Sequence, residues 1–326
     1  MSAGSGETFP LPASARAAGA PPRIALVTAD LDRHARDLLK AFKAAGARVK
    51  AIELAEISYD SAARHGLVMP HFGEDLPDAV CVRTMDGGSF EQVTRRLGVL
   101  HALSALGVLV SNDARAIEHC VDKSATSFLL ARAGLPSPRS WAVESRDAAA
   151  AIVLKETAPL VLKPLFGAQG KGLKLVHGVD DLPAEDSLAG VYYLQRFAGR
   201  EEGGLFTDYR ILVSNGRVAA TMMRRAGQWI TNIKQGAIAL PMPADPELES
   251  LALAATRAVG GDFCGVDLLR DAAGAAQVIE VNSMPAWTGL QKASGVDVQM
   301  LRARDLLEQL GTARQPNIAS ALARAV

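Results

Sequence analysis

The stretch Leu160-Val161-Leu162-Lys163-Pro164-Leu165-Phe166-Gly167-Ala168-Gln169-Gly170-Lys171-Gly172-Leu173-Lys174-Leu175-Val176 decides how the rest of the chain is read. An apolar run ends in Lys163, a loop carries Gly167, Gly170 and Gly172, and a second apolar run returns, so the spacing predicts strand, loop and strand. Glycines at this spacing let backbone N–H groups close over phosphate oxygens with no side chain in the way. Lys163 at the strand end adds a point charge for the same phosphates. A Walker loop needs Lys-Ser/Thr directly after its last glycine and then a helix, and neither is present. Taken alone, the segment fits a phosphate cradle and a glycine-rich surface hairpin equally well.

Working outward, Gly265-Val266-Asp267-Leu268-Leu269 and Val278-Ile279-Glu280-Val281-Asn282 flank a turn at 271–274. Strand alternation puts Glu280 and Asn282 on one face together with Val278, and the turn brings Asp267 opposite them. Two carboxylates and an amide oxygen form a hard-oxygen site suited to Mg²⁺. The other reading is a solvated carboxylate pair on a half-exposed hairpin. The apolar flanks weigh against it, because a buried carboxylate pair without a cation is costly. Earlier, Asp208-Tyr209-Arg210 precedes an Asn215–Gly216 hairpin signal lying between the runs 210–213 and 218–223, and Arg224-Arg225 comes after. Arg210 is expected to begin one strand and Arg224–Arg225 to end its partner, so that these side chains approach. Clustered guanidiniums hold carboxylates or transferring phosphoryl groups in bidentate fashion, and they also occur simply as surface arginines. Asn232 and Lys234 come soon after, near Gly236.

From residue 23 to about 112, strand-like runs at 24–28, 49–52, 79–82 and 108–110 alternate with helical spacing at 34–45 and 90–106. In the second helix Val93, Leu97, Leu100 and His101 are expected on one face, and Asn112 or Asp113 can cap the segment after the last of these strands. The alternation predicts an open parallel α/β sheet. No GxGxxG comes after its first strand, so a dinucleotide fold has no support. A helix at 122–133 stops at Gly134 and Pro136. Strands and hairpins are expected to dominate 138–243, before a helix capped by Asp245 and a last helix at 298–310.

The 326 residues carry 35 Lys+Arg and 35 Asp+Glu, a formal charge of zero that speaks against a dedicated nucleic-acid or membrane-surface binder. No apolar run is long enough to span a bilayer. The leader 1–22 is rich in Ala, Gly, Ser and Pro without a continuous apolar segment, and is expected to be disordered rather than secretory. Cys81, Cys120 and Cys264 are isolated, which excludes a disulfide framework or CxxC site and suits a reducing cytoplasm. The six histidines show no ligand spacing, and Lys123, early in its helix, is expected to be solvated.

The order of these features resembles the ATP-grasp fold and, more narrowly, the RimK-like α-L-glutamate ligases. The resemblance runs over about 23–310. Glu280-Val281-Asn282-Ser283-Met284-Pro285, continuing to Gly295-Val296-Asp297, is similar to that group. Gly87-Gly88-Ser89-Phe90-Glu91-Gln92-Val93-Thr94-Arg95 and Arg115-Ala116-Ile117-Glu118-His119-Cys120-Val121-Asp122-Lys123 look like the tetrahydromethanopterin:α-L-glutamate ligases. The resemblance implies an α/β and α+β architecture. Its parts would be a pre-ATP-grasp domain at 23–112, a central lid subdomain at 113–198, a carboxyl-terminal subdomain with the metal site at 199–312, and a tail at 313–326.

By the same resemblance Lys123 and Lys163 hold ATP phosphates under a mobile lid carrying Gly167, Gly170 and Gly172. Gln195, Arg196 and Phe197 form the hinge that contacts adenine. Asp208, Ile230, Thr231 and Asn232 complete the nucleotide site, and Asp267, Glu280 and Asn282 are the metal ligands. Two Mg²⁺ ions are implied, with Mn²⁺ able to substitute. Arg225, with Arg210, is the candidate for holding an acyl phosphate. The chain departs from the family at Arg196, more usually acidic, at the insert 201–204, and at Ala286, where a glycine often stands. The implied reaction joins L-glutamate to an acceptor carboxylate, a pterin cofactor being the expected acceptor. Nucleic-acid and membrane partners are not expected, and a homo-oligomer is compatible. The alternatives are glutamylation of a protein terminus or another small molecule, and a nucleotide-binding module without catalysis.

Overall fold

The computed structural model describes residues 20–167 and 170–314; the expected leader and tail lie almost wholly outside the described residues. The chain divides into two compact units, one holding residues up to Ala114 with those from Leu306 onward, the other Arg115–Asp305.

In the first unit the strands β1 (Arg23–Val27), β2 (Arg48–Ile52), β5 (Ala79–Val82) and β6 (Leu109–Ser111) form a parallel sheet in the order β2-β1-β5-β6. A two-residue hairpin, β3 (Ser58–Tyr59) with β4 (Leu67–Val68), interrupts the alternation. Helix α1 (Arg33–Ala44) starts at Asp32, whose carboxylate accepts from Ala35 N at 2.7 Å, and buries Leu38 and Phe42. Helix α2 (Phe90–Ala105) starts in a capping box between Ser89 and Gln92. Its buried face is Val99, Leu100 and Leu103, whereas His101, expected on that face, is exposed. One residue's difference is 100° around a helix, enough to turn it outward.

The second unit begins with α3 (Ala114–Val121) and α4 (Lys123–Arg132), the latter capped by Asp122. A small antiparallel sheet comes next, in the order β7 (Ser140–Val143), β10 (Tyr192–Arg196), β8 (Leu160–Lys163), β9 (Lys174–Val176). Helix α5 (Arg146–Lys155) covers it, packing Ala149 and Val153 on Leu160, Leu162, Tyr192 and Leu194. Strands dominate 138–243 as expected, and this helix is the addition that the expectation did not include. Ser145 caps it and four consecutive alanines, Ala148–Ala151, favour it.

The large sheet runs β14 (Ile238–Leu240), β13 (Arg217–Ala226), β12 (Leu205–Ser214), β15 (Phe263–Arg270), β16 (Ala276–Asn282), with β11 (Glu201–Glu202) also on β12. Helix α6 (Pro246–Val259) buries Leu248, Ala252, Ala255 and Val259 against Val266, Leu268, Val278 and Val281. Each large apolar side chain so removed from water contributes about 1.5–3 kcal/mol. The covered face leaves the opposite face of β12, β13, β15 and β16 for the site. Helices α7 (Thr288–Ser294) and α8 (Val298–Arg314) complete the described fold.

Two irregularities set which side chains reach that site face. In β13, Val218 pairs with Val213 and Ala220 with Leu212, so Ala219 is an extra residue. In β16, Val278 pairs with Leu268 and Glu280 with Asp267, so Ile279 is extra. A bulge of this kind turns the residues beyond it to the other face. Val278 therefore lies in the core while Glu280 and Asn282 face the site, which corrects the expectation that all three share a face. The strand carrying Arg210 begins at Leu205, so Arg210 sits at its middle, opposite Met222, rather than at its start.

A candidate nucleotide and metal site

One cleft of the second unit is lined from the small sheet by Val161, Lys163 and Gln195, and from the large sheet by Asp208, Arg224, Asp267 and Glu280. Lys163 ends β8, where the sequence places it. Its side chain is buried and its Nζ donates to Gln195 Oε1 at 2.6 Å. Because ammonium only donates, that contact fixes the Gln195 amide, and Nε2 turns away, buried with no partner among the described residues. Burial outweighs the pull of Glu280 and lowers the Lys163 ammonium to about 8. Lys123 is half-buried, and its partial desolvation lowers its pKa; its Nζ donates to Gly167 O at 3.0 Å and Leu165 O at 3.3 Å. It is thus a cleft residue rather than the solvated lysine expected.

Gly170 and Gly172 have φ of +70° and +73°, and a Cβ at either would come within 2.8 Å of Gln235 Nε2 or Pro164 Cγ respectively. Their glycines are thus required by backbone conformation and by neighbours inside the protein. The loop residues 168–169 lie outside the described residues.

Across the cleft, charged residues oppose one another strand by strand. Arg224 faces Asp208, Arg210 faces Asp267, and Asp267 faces Glu280. Arg224 forks Asp208 at 2.7 and 2.5 Å and reaches Asp267 at 3.1 Å. Arg210 forks Asp267 with two bonds of 2.6 Å. Burial alone raises the Asp267 carboxyl, but Arg210 and Arg224 outweigh it and hold it down at about 2. The carboxylate is fully ionised at neutral pH. Asn282 lies on the same face opposite Gly265, with Nδ2 turned toward Gly265 O, which leaves its amide oxygen as the available acceptor.

Next to Arg196, the ring of Phe197 packs edge-on against Trp229 (5.9 Å, 84°) and Phe206 (6.3 Å, 70°). A Cβ on Gly199 would meet the Phe197 ring at 2.5 Å, so the ring rests directly on the Gly199 backbone. Arg196 points outward and forks Glu156 at 2.6 and 3.2 Å. Its guanidinium is engaged there, and the buried Gln195 faces the interior.

Of the residues singled out from the sequence, the cleft brings together Lys123, Lys163, Gly167, Gly170, Gln195, Arg196, Phe197, Asp208, Ile230, Thr231, Asn232, Asp267 and Glu280. Arg210 joins through Asp267, and Asn282 stands beside them. Gly172 supports the loop from outside the lining. Arg225 is exposed on the opposite face of β13 from Arg224 and does not approach Arg210. Sequence reasoning named Arg224 only as half of an arginine pair, and gave no site role to Phe206, Trp229, Leu269 or Ile279, all of which line the cleft with it. Strand parity counted from the Asp267 side would have found Leu269.

Among the described residues no three His, Cys, Asp or Glu side chains gather as a metal group, so the donor set is two carboxylates and an amide oxygen. That chemistry fits a hard divalent ion, with Glu280, Asn282 and one oxygen of Asp267 as ligands. The unpartnered Gln195 donor fits a ligand bearing an acceptor. No helix among the described residues is long and apolar enough to cross a membrane.

Comparison with known proteins shows the family. Residues 120–306 match the RimK-like ATP-grasp domain. A tetrahydromethanopterin:α-L-glutamate ligase of Methanococcus maripaludis is 34% identical over 71% of this chain and 79% of its own length. The enzyme of the same name from Methanosarcina acetivorans is 30% identical over 83% of this chain and 94% of its own. Among solved structures, the ATP-grasp ligase PsnB complexed with a minimal precursor superposes with a TM-score of 0.69 at 20% identity, covering 88% of this chain and 99% of its own, a likeness of fold. The chain therefore belongs to the RimK-like ATP-grasp family and is a ligase of the kind that forms carbon–nitrogen bonds.

Proposed function

We propose that the protein uses ATP to join L-glutamate, through its α-amine, to an acceptor carboxylate, and that the acceptor is a tetrahydromethanopterin-type cofactor. The observation that carries the reading is the facing arrangement of Lys123 and Lys163 against Asp267 and Glu280 in one cleft. A polyphosphate lying there meets ammonium groups from one side and a metal-ligating pair from the other. The names of the two archaeal relatives support glutamate and the pterin acceptor.

A carboxylate resists attack by an amine until one oxygen becomes a good leaving group. Transfer of the γ-phosphoryl group to the acceptor carboxylate gives an acyl phosphate and ADP; the glutamate amine then attacks the acyl carbon and phosphate departs, leaving the amide. Lys163 and Lys123 hold the phosphates and offset charge as it shifts during transfer. Gln195 orients Lys163. Arg210 and Arg224 are positioned to keep Asp267 in place. Mg²⁺ held by Glu280, Asn282 and Asp267 supplies further charge neutralisation when bound.

ADP release is measured with Mg-ATP and L-glutamate, with and without a tetrahydromethanopterin-type acceptor, and the product is weighed by mass spectrometry. Acceptor-dependent ADP and a product heavier by glutamyl units are expected. ADP formed without dependence on the pterin would overturn that acceptor, and a short peptide with a free carboxyl terminus would be tried next. No ADP with any acceptor would overturn the ligase reading of the cleft.

A further inference from the structure

The two carboxylates that the cleft offers a cation are unequal. Asp267 accepts two bonds of 2.6 Å from Arg210, one on each oxygen, and a further contact of 3.1 Å from Arg224 on Oδ2. Its Oδ2 is thereby filled, and Oδ1 retains one lone pair. Glu280, directly opposite on β16, makes no hydrogen bond or ion pair among the described residues. Arg224 is itself 3% exposed and forked onto Asp208, so its guanidinium cannot swing into water without leaving Asp208 buried and uncompensated. Leaving aside the exposed Lys171 and Arg196, the latter forked onto Glu156, four cations (Lys123, Lys163, Arg210, Arg224) face three carboxylates (Asp208, Asp267, Glu280). The side chains of the cleft are therefore net positive before any ligand enters.

Resting on the metal-site reading above, we propose that Arg224 is a positioning residue which, with Arg210, holds Asp267 as a neutralised, single-oxygen donor, so that the site takes up a divalent ion only together with the nucleotide's phosphates. A small divalent ion sheds its water reluctantly and needs several anionic oxygens in return. Glu280 and one lone pair of Asp267, set among four cationic side chains, do not supply them. Polyphosphate oxygens do, and they also reverse the sign of the local charge. Loss of Arg224 removes one of the cations, frees Asp208 and leaves each oxygen of Asp267 with one lone pair beside its Arg210 bond, which makes a cation site that no longer waits for the nucleotide.

The test uses Mn²⁺ as the probe on the full chain, with bound ion read by electron paramagnetic resonance and water-proton relaxation. Titrations are run with and without a non-hydrolysable ATP analogue, keeping protein in excess over the analogue. Wild type is expected to bind Mn²⁺ at least about tenfold more weakly without the analogue than with it. Arg224→Met is expected to bind Mn²⁺ without the analogue about tenfold more tightly than wild type, and Arg224→Lys, which keeps the charge, to restore weak binding. Equal Mn²⁺ affinity of wild type with and without analogue overturns the inference, as does an Arg224→Met protein with wild-type affinity. Should Arg224→Met fail to fold, the double variant Asp208→Leu/Arg224→Met replaces the buried pair together and is expected to show the same tightening; its absence overturns the inference equally. Mn²⁺ that binds no form even with the analogue present overturns the metal-site reading and this inference with it.

Discussion

Lys163 shows how one residue answers to two opposing demands. Its ammonium is buried, and burial lowers its pKa from 10.5 to about 8. Between those values the unfolded chain holds a proton the folded chain has released, so rising pH favours the folded state across that window. The gain from Lys163 approaches about 3 kcal/mol by pH 10.5, and below pH 8 the desolvated charge is a standing cost. Phosphate binding runs the other way, because it needs the charged form. Nucleotide affinity, by calorimetry, is expected to hold steady from pH 6.5 to 7.5 and then to fall toward tenfold per pH unit above about 8. Lys163→Met should bind weakly at every pH and lose both slopes; an unchanged slope would assign the titration to another group.

The arginines make a second prediction at this scale. Arg210 touches Asp267 at 2.6 Å, whereas Arg225 is exposed on the far face. Arg210→Ala is expected to lower kcat about a hundredfold, well beyond the loss on Arg225→Ala, in steady-state assays. Comparable losses would return Arg225 to the site. Most of the site's chemistry was legible as residue types: Lys163, Asp267 and Glu280 stand out because each ends or interrupts an apolar strand. The choice between Arg224 and Arg225 was not legible. A regular hairpin closed at Asn215–Gly216 would set Met223 opposite Asp208 and put Arg225 on the same face. The extra residue Ala219 shifts that count by one and delivers Arg224 instead.

At the scale of elements, the sheet strands and most helices arise from apolar runs, caps and stop glycines, and most of their observed ends lie within a residue or two of the expected ones, though β13 runs three and α8 four residues further. Exceptions have identifiable causes. Helix α5 hid among strands because its alanines carry little periodic signal, and β12 extends five residues before Arg210 because its first half, Leu205–Tyr209, pairs with β13 and β11. Backbone approach is the feature least visible in sequence. Gly265 in β15 is an instance: a Cβ there would sit 2.9 Å from Pro285 Cβ. Neither a strand backbone nor a proline ring yields easily, so Gly265→Ala is expected to cost about 1–3 kcal/mol in denaturant unfolding. Gly227 provides the control. A Cβ there meets nothing within 4 Å, and Gly227→Ala should stay within about 0.5 kcal/mol of wild type. Equal effects at both positions would mean that the Pro285 contact does not constrain the strand.

For the whole molecule, the order of motifs along the chain was more informative than any single one. The glycine loop alone fitted two readings, and the carboxylate pair alone fitted two. Together with Asp208, Arg210 and the Arg-Arg pair their order resembles one fold, and the structure brings residues of β8, β12 and β15 around a common cleft. That cleft lies wholly within Arg115–Asp305. A ligand that binds only the folded second unit stabilises it by about 2.7 kcal/mol at a hundred times its dissociation constant, which equals a hundredfold fewer complete openings. The amides that exchange only through those openings are the central ones of β12, β15 and β10, where the strands are paired on both sides. Hydrogen exchange with Mg²⁺ and the ATP analogue at that excess is therefore expected to slow these amides by about two orders of magnitude. Amides in the short pair β3–β4 of the first unit, exposed except at Leu67 and opening locally, should keep their rates and serve as the internal standard. If the slowest amides of β12 and β15 exchange at the same rate with saturating analogue as without it, the nucleotide does not bind in this cleft, however well the residues lining it match the family.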